Sequence, residues 1–261
     1  MSVDLTTIEP AAFLAFVLVG FAAQMVDGAL GMAFGVISNT LLLSLGVPPA
    51  AASAGVHAVE TVTTAVSGVS HVAHRNVDWK IFFRLMIPGV IGGVLGAYVL
   101  SNIDASLAKP FILIYLTLIG LNLLYRGWRF PPQDRKPKVI EPLGLAGGFL
   151  DAAGGGGWGP IVTSNLLVQG ASPRKTIGTV NTAEFFLTLT ISITFLSQLG
   201  WAAVTQATAG LLLGGIIAAP FGAMFAKRVK PRLLLLLVGV VLTVTSLFNL
   251  ISSGVLLRWF G

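Results

Sequence analysis

Cysteine is absent from this 261-residue chain, which excludes disulfides, thiolate metal sites, iron–sulfur clusters and cysteine nucleophiles together. Charge is almost as scarce. Lys, Arg, Asp and Glu make up 10% of the residues, against about 25% in soluble domains, while 55% are hydrophobic and mean hydropathy is +0.88. Too few polar side chains remain to cover a water-facing surface, so the chain reads as an integral membrane protein whose solvent is mostly lipid. Met1 to Pro10 holds Asp4 and Glu9 but no Lys or Arg, the wrong sign for a cleaved secretory signal. The first hydrophobic stretch is therefore expected to stay in the mature chain.

What is present falls into eight apolar blocks, near 11–46, 50–73, 81–100, 106–125, 142–169, 175–198, 202–226 and 232–253. A simple spanning helix needs about 20 residues. The first block is far longer and is interrupted at Gln24, Asp27 and Gly28, so it is expected to form two helical pieces. The fifth is split by Asp151 and the run Gly154 to Gly157, since consecutive glycines each cost about 1 kcal/mol of helix propensity relative to Ala. These two blocks belong to an internal repeat. One offset places Asp27 on Asp151, Gly31 on Gly155, Phe34 on Trp158, Gly35 on Gly159, Gly46 on Gly170, Pro49 on Pro173, His57 on Asn181 and Glu60 on Glu184. After a two-residue deletion Trp79 meets Trp201, and Gly92 and Gly93 meet Gly214 and Gly215.

The net charge of +6 is explained by topology. If the first and fifth blocks each enter the membrane and return, fourteen of the 16 basic residues fall on one side, leaving Lys109 and Arg258 on the other; a single crossing scatters them over both faces. By the positive-inside rule both termini lie outside and the two halves are inverted copies. Binding to nucleic acid, which needs a clustered basic water-facing surface, is set aside. The expected fold is an all-α polytopic membrane protein with two inverted repeats, each a broken or re-entrant helical hairpin followed by three transmembrane helices. Residues 1–125 form the first repeat, 126–141 a basic cytoplasmic linker and 142–261 the second repeat.

Four of the ten acids, Asp27, Glu60, Asp151 and Glu184, sit inside apolar blocks. Glu60 falls about 15 Å into its helix, near the middle of a ~30 Å hydrocarbon core. An acid there costs about 2.5–3.5 kcal/mol on insertion scales and usually faces a partner or a cavity. Glu60 and Glu184 are therefore either hydrogen-bonded struts between helices or members of a substrate or proton path. His57 shares a helix face with Glu60, as Asn181 does with Glu184; His57 is a proton acceptor or anion contact, or else half of a static pair. His57 and the scattered acids show no metal-ligand spacing, and no cofactor is expected. The tetraglycine lacks the Gly-Lys-Ser/Thr sequel of a nucleotide loop. At a hairpin tip it would instead leave backbone N–H groups and a helix dipole facing the interior, an arrangement that favours an anion. Ser38, Asn39 and Thr40, and Thr163, Ser164 and Asn165, follow the two tips as neutral donors or as ordinary intrahelical hydrogen bonders. No Lys or Arg lies deep in any block, so an anion would be held without a fixed salt bridge. Arg174 and Lys175 either gather anions at the cytoplasmic mouth or only fix topology.

The stretches DGALGMAFGVISNTLLLSLGVPPAAASAGVHAVE and DAAGGGGWGPIVTSNLLVQGASPRKTIGTVNTAEFF resemble the sulfite exporter TauE/SafE family, also called the four-toluene sulfonate uptake permease family. The likeness covers nearly all of the chain except the linker. It implies a multi-pass transporter of the plasma (inner) membrane, not an enzyme, for sulfite, organosulfonates or related organic acids, with export the named direction for several members and uptake also ascribed to the family. Without cysteine, a thiol relay of the kind found in related thiosulfate importers is excluded. The expected anion site lies between the hairpin tips, at Asp27, Gly31, Asn39, Thr40, His57, Gly155, Gly156, Gly157, Trp158, Ser164, Asn165 and Asn181, with Glu60 or Glu184 as proton carrier. The partners expected are a small anion and the bilayer, with a homodimer left open. The competing readings are a cation or proton channel using the acids and an intramembrane enzyme with a Glu–His pair.

Overall fold

A computed structural model describes residues 10–30, 32–129, 137–200, 206–226 and 231–252. Among them the chain forms ten α-helices, one π-helical turn and no strand. The first half contains α1 (Pro10–Leu30), α2 (Phe34–Ser44), α3 (Pro49–Ala73), α4 (Trp79–Asn102) and α5 (Ala105–Arg129). The second contains α6 (Glu141–Gly154), the π turn (Gly159–Thr163) running into α7 (Ser164–Val168), then α8 (Pro173–Leu199), α9 (Gln206–Ala226) and α10 (Pro231–Ser252). Both interrupted blocks break as their composition predicts, between Leu30 and Phe34 and between Gly154 and Gly159. Pro49 and Pro173, matched in the repeat, each open a long helix at the position where a missing N–H costs nothing. Helix α5 continues through Arg129, so the first residues of the expected linker are helical. The expectations placed on Gly31, Arg135, Lys136, Trp201, Lys227, Arg228, Lys230, Arg258 and both termini lie outside the described residues.

By length and composition α4 (79–102), residues 110–129 of α5 and residues 174–199 of α8 are long and apolar enough to cross a membrane; the apolar parts of α1, α2 and α9 are shorter. The exposed faces of the long helices are hydrophobic, with Phe83, Ile87, Ile91, Leu95 and Tyr98 all about half exposed on α4. In water such a stripe would be an aggregation surface; against lipid it is the expected exterior.

The packing follows the repeat. Helix α1 pairs with α9 and α6 with α4, while α3 pairs with α8 and α5 with α10. Exchanging the halves turns the first pairing into the second and returns each of the other two to itself. Sense is conserved as well. Along α4 and α6, Gly92 faces Leu145 and Gly96 faces Phe149; along α1 and α9, Gly210 faces Phe16 and Gly214 faces Phe21, so both pairs run parallel. Helices α3 and α8 run antiparallel, with Gly68 beside Thr182 and the Thr61 hydroxyl 3.2 Å from that of Ser192. Helices α5 and α10 do the same, Gly120 facing Thr243 and Gly127 facing Leu236. Backbones approach closely at these seams: a Cβ on Gly92 would stand 2.9 Å from the Phe149 nitrogen, and one on Gly20 would stand 2.7 Å from the Leu211 Cα. Lipid gives no hydrophobic drive for helix association, so close backbone packing at small residues is a main source of adhesion.

One end of the α3/α8 pair is tied. Arg174 donates to the Asn76 side chain at 2.5 Å and to the His74 carbonyl at 3.3 Å; Lys175 Nζ donates to the carbonyls of Arg75 (2.8 Å) and Val77 (3.1 Å). The Thr179 hydroxyl accepts from the Asp78 N–H at 2.8 Å. The two cations thus bind the backbone of the α3–α4 turn, a contact that charge counting missed. Their repeat counterparts are Ala50 and Ala51, so this tie exists in one half only.

Two outcomes are expected. Gly92→Leu drives a side chain into the α6 backbone and lowers thermal stability in detergent by about 1–3 kcal/mol or more, whereas Leu95→Val on the exposed face stays within about 0.5 kcal/mol. Because the chain is cysteine-free, a single cysteine at Asn76 can report the tie: with Arg174 and Lys175 both changed to Ala, a cysteine-reactive probe labels it several-fold faster.

Candidate functional site

The second hairpin tip is organised by one carboxylate. Helix α6 ends at Gly154, and the chain turns through Gly155 and Gly156 at φ 68° and 135°, values that residues with a Cβ rarely adopt. The Asp151 carbonyl accepts the N–H groups of Gly155 and of Gly156, the latter at 3.0 Å. Asp151 Oδ1 accepts from Gly157 at 2.6 Å and Trp158 at 2.8 Å. Its other oxygen lies 3.1 Å from His57 Nε2 on α3. On the far side of the ring, His57 Nδ1 is 2.7 Å from the Ser53 carbonyl. A carbonyl only accepts, so Nδ1 carries hydrogen, and the Nε2–Oδ2 contact needs one further proton shared between imidazole and carboxyl. Either assignment leaves the pair neutral. The Ser53 hydroxyl donates to the Ala152 carbonyl at 2.6 Å, tying α3 to the same tip.

The expectation that the tetraglycine presents unpaired N–H groups is therefore corrected. The N–H groups of residues 155 to 158 are all taken by Asp151, because at membrane depth the chain's own carboxylate satisfies donors that water cannot reach. The first tip repeats the device more weakly: Asp27 Oδ1 accepts from the Phe34 N–H at 3.4 Å. Where the second half has Gly157, the first has Ala33 at φ 103°, a conformation costing about 1–3 kcal/mol in a residue with a Cβ.

The two tips touch. A Cβ on Gly35 would stand 2.8 Å from both the Gly156 Cα and Glu60 Oε1, and Asn39 Nδ2 donates to the Gly154 carbonyl at 2.6 Å. Glu60 also takes a backbone hydrogen bond from Gly35. Glu184 lies within electrostatic reach of Asp27, Glu60 and Asp151, so all four intramembrane acids converge. All four are buried, as are His57, Asn39, Thr40 and Asn181. Among the described residues no Lys or Arg is buried, and no three His, Cys, Asp or Glu are grouped to hold a metal ion. Several buried oxygens have no hydrogen-bond partner: Oδ1 of Asn39 and Asn181, Oε2 of Glu60 and Glu184, and the hydroxyls of Thr40 and Tyr115.

The remaining expected site residues lie at the edge of this cluster or in its support. Trp158 is fully buried; its ring tip would contact a Cβ on Gly89, and its Nε1 donates to the Val180 carbonyl at 3.3 Å. Asn165 Nδ2 donates to the Ile161 carbonyl at 2.7 Å, and its oxygen meets Arg126 at 3.5 Å. Ser164 opens α7, with its side chain outside the description, and Gly31 lies outside altogether. Three contributors were missed. Ser53, one turn before His57 on the same face, was legible by spacing. Tyr115, whose ring lies against Gly154 and whose hydroxyl lies against Gly157, and Arg126 come from α5, and only the tertiary fold brings them here.

Buried acids at the contact of two broken hairpins, within a lipid-facing helical shell, define a polytopic membrane protein with a polar interior site. Residues 16–249 match the family described as "Sulfite exporter TauE/SafE", and the chain belongs to that family. Among its relatives, the probable membrane transporter protein YtnM of Bacillus subtilis (strain 168) is 43% identical over 251 residues, covering 92% of this chain and 83% of that one. A probable membrane transporter protein of Haemophilus influenzae is 27% identical over 210 residues, covering 77% and 81%. YunE of Bacillus subtilis, also a probable membrane transporter protein, is 30% identical over 115 residues, 42% of each chain. No solved structure matches the chain.

The capping geometry orders the stabilities of the aspartate variants. Asp151→Ala frees two N–H groups and strands His57, costing about 3–5 kcal/mol; Asp27→Ala, which loses the long hydrogen bond to Phe34, costs about 1–3 kcal/mol. Asp151→Asn retains most of the stability, since its oxygen accepts the two N–H groups while its amide donates to His57 Nε2. Thermal unfolding in detergent checks the order.

Proposed function

We propose that this protein is a proton-coupled secondary transporter that exports small anions, such as sulfite, organosulfonates or related organic acids, across the plasma (inner) membrane. The observation that carries the reading is the convergence of Asp27, Glu60, Asp151 and Glu184 where the two hairpin tips meet, in a chain whose family and relatives are named as transporters. Four carboxyls with one imidazole and, among the described residues, no buried Lys or Arg cannot all be ionised in a dry interior, so the cluster stores protons, and its protonation changes when an anion arrives or leaves. His57 and Asp151 already share one proton and hold the second tip closed. Glu60 and Glu184, each with an unpartnered oxygen, are the carriers that load and unload.

The two halves are inverted copies, with the positively charged loops inside and both termini outside. The antiparallel runs of α3 with α8 and of α5 with α10 support this, since those helices are each other's counterparts. Pseudo-symmetric halves of this kind expose a shared midplane site to one side and then the other. The tie from Arg174 and Lys175 to the α3–α4 turn holds the cytoplasmic end of α3 and α8 together in one of these two states.

The test is flux in proteoliposomes. Labelled sulfite should move saturably, be driven by a proton gradient, be unaffected by replacing Na+ with K+, and be recovered unaltered; a cation-dependent current without sulfite would favour a channel, and altered substrate would favour an enzyme. Glu60→Gln and Glu184→Gln should each reduce gradient-driven flux at least tenfold. Single cysteines at His74 and Ser197, matched ends of the two halves, should be labelled from opposite faces; labelling from the same face would refute inversion.

A further inference from the structure

The hydrogen-bond inventory around the tips sets a requirement on the substrate that family membership does not. Resting on the anion-transport reading, we propose that the site recognises its oxyanion through the oxyanion's own O–H, binding the hydrogen-bearing monoanion in preference to the dianion or to a monoanion without a donor.

Among the buried side-chain oxygens without a partner, the amide oxygens of Asn39 and Asn181 can only accept. Asn39 is 1% exposed, and its amide orientation is set by the hydrogen bond from Nδ2 to Gly154, so Oδ1 is the atom without a partner. Its amide lies where a Cβ on Gly155 would be. Asn181, 2% exposed and three residues before Glu184 on the same helix face, likewise has an unpartnered Oδ1. Oε2 of Glu60 and of Glu184 complete the set. An acceptor buried in this way costs about 1–3 kcal/mol unless a donor arrives.

At the second tip the backbone donors that would hold a bare anion are committed elsewhere. The N–H groups of residues 155 to 158 are taken by Asp151, and among the described residues no Lys or Arg is buried. Donors for the charged oxygens include hydroxyls, with Tyr115 placed at Gly157. A dianion here would set its oxygens against lone pairs and carboxyls. A hydrogen oxyanion offers one O–H to an amide or carboxylate oxygen while its other oxygens accept from hydroxyls. Sites built around a substrate hydroxyl reject the analogue that lacks it strongly, because their own polar groups are otherwise left unpaired.

Sulfite, whose last proton titrates near neutrality, and methanesulfonate, a permanent monoanion with no O–H, separate these cases. Exchange of labelled sulfite is followed in proteoliposomes with equal pH on both faces, so that no gradient drives it. As pH rises past the hydrogen sulfite titration, apparent affinity for total sulfite should fall about tenfold per pH unit. Methanesulfonate should compete at least tenfold more weakly than hydrogen sulfite at the acidic end, with an inhibition constant that changes less steeply with pH than the affinity for sulfite. Equal competition, or a sulfite affinity that does not fall with pH, overturns the inference; so does a methanesulfonate constant that falls in parallel, since the protein's own titration then explains both. Asn181→Leu, with Glu184→Leu as second variant, should shrink the preference for hydrogen sulfite over methanesulfonate at least fivefold; an equal loss of both would mark a merely structural role and count against the proposal. Absence of sulfite exchange altogether removes the proposed function itself, whereas exchange without discrimination removes this inference alone.

Discussion

A helix broken inside a membrane must find partners for the N–H groups it exposes, and the second half of this protein depends on how Asp151 supplies them. Its carbonyl and carboxylate together satisfy four consecutive N–H groups of the glycine turn. The remaining carboxylate oxygen meets His57, which belongs to the other half of the chain. That one residue therefore closes a hairpin, neutralises its own charge through a shared proton and ties the halves together. The cost of breaking a helix in lipid is met locally, and the resulting rigid tip can pack backbone against backbone with the start of α2.

Duplication supplies the frame, and departures from symmetry supply the chemistry. Asp27 and Asp151 do the same capping work, but the Asp27 contact to the Phe34 N–H is longer, and Asp27 is followed by a strained Ala33. His57 corresponds to Asn181, so one half can hold a shared proton at that point while the other presents an unpartnered amide oxygen. Arg174 and Lys175 correspond to alanines, which cannot make this tie at the other end of the central helix pair.

Much of this was legible before any coordinates. The break points at Leu30–Phe34 and Gly154–Gly159 followed from glycine, aspartate and block length, and the helix starts at Pro49 and Pro173 from proline at a first turn. The burial of Glu60 and Glu184 was expected from their depth in apolar blocks. The use of the glycine N–H groups was misjudged, because composition shows where donors are released but not which nearby acceptor turns back to take them. Tyr115 and Arg126 were invisible for a related reason: α5 carries no local motif, and it reaches the second tip only through helix packing.

The amino-acid sequence by itself determined that the chain lives in lipid, that it is duplicated, where its helices break and which acids are buried, because hydropathy, glycine propensity and residue spacing act along the chain. Tertiary structure alone decided which groups meet. That Asp151 faces His57, that Gly35 rests on Gly156, and that buried oxygens of Asn39, Glu60, Asn181 and Glu184 are left without partners depend on contacts between distant segments. Hydrogen bonding is directional and short-ranged, so its inventory exists only once the two halves have packed.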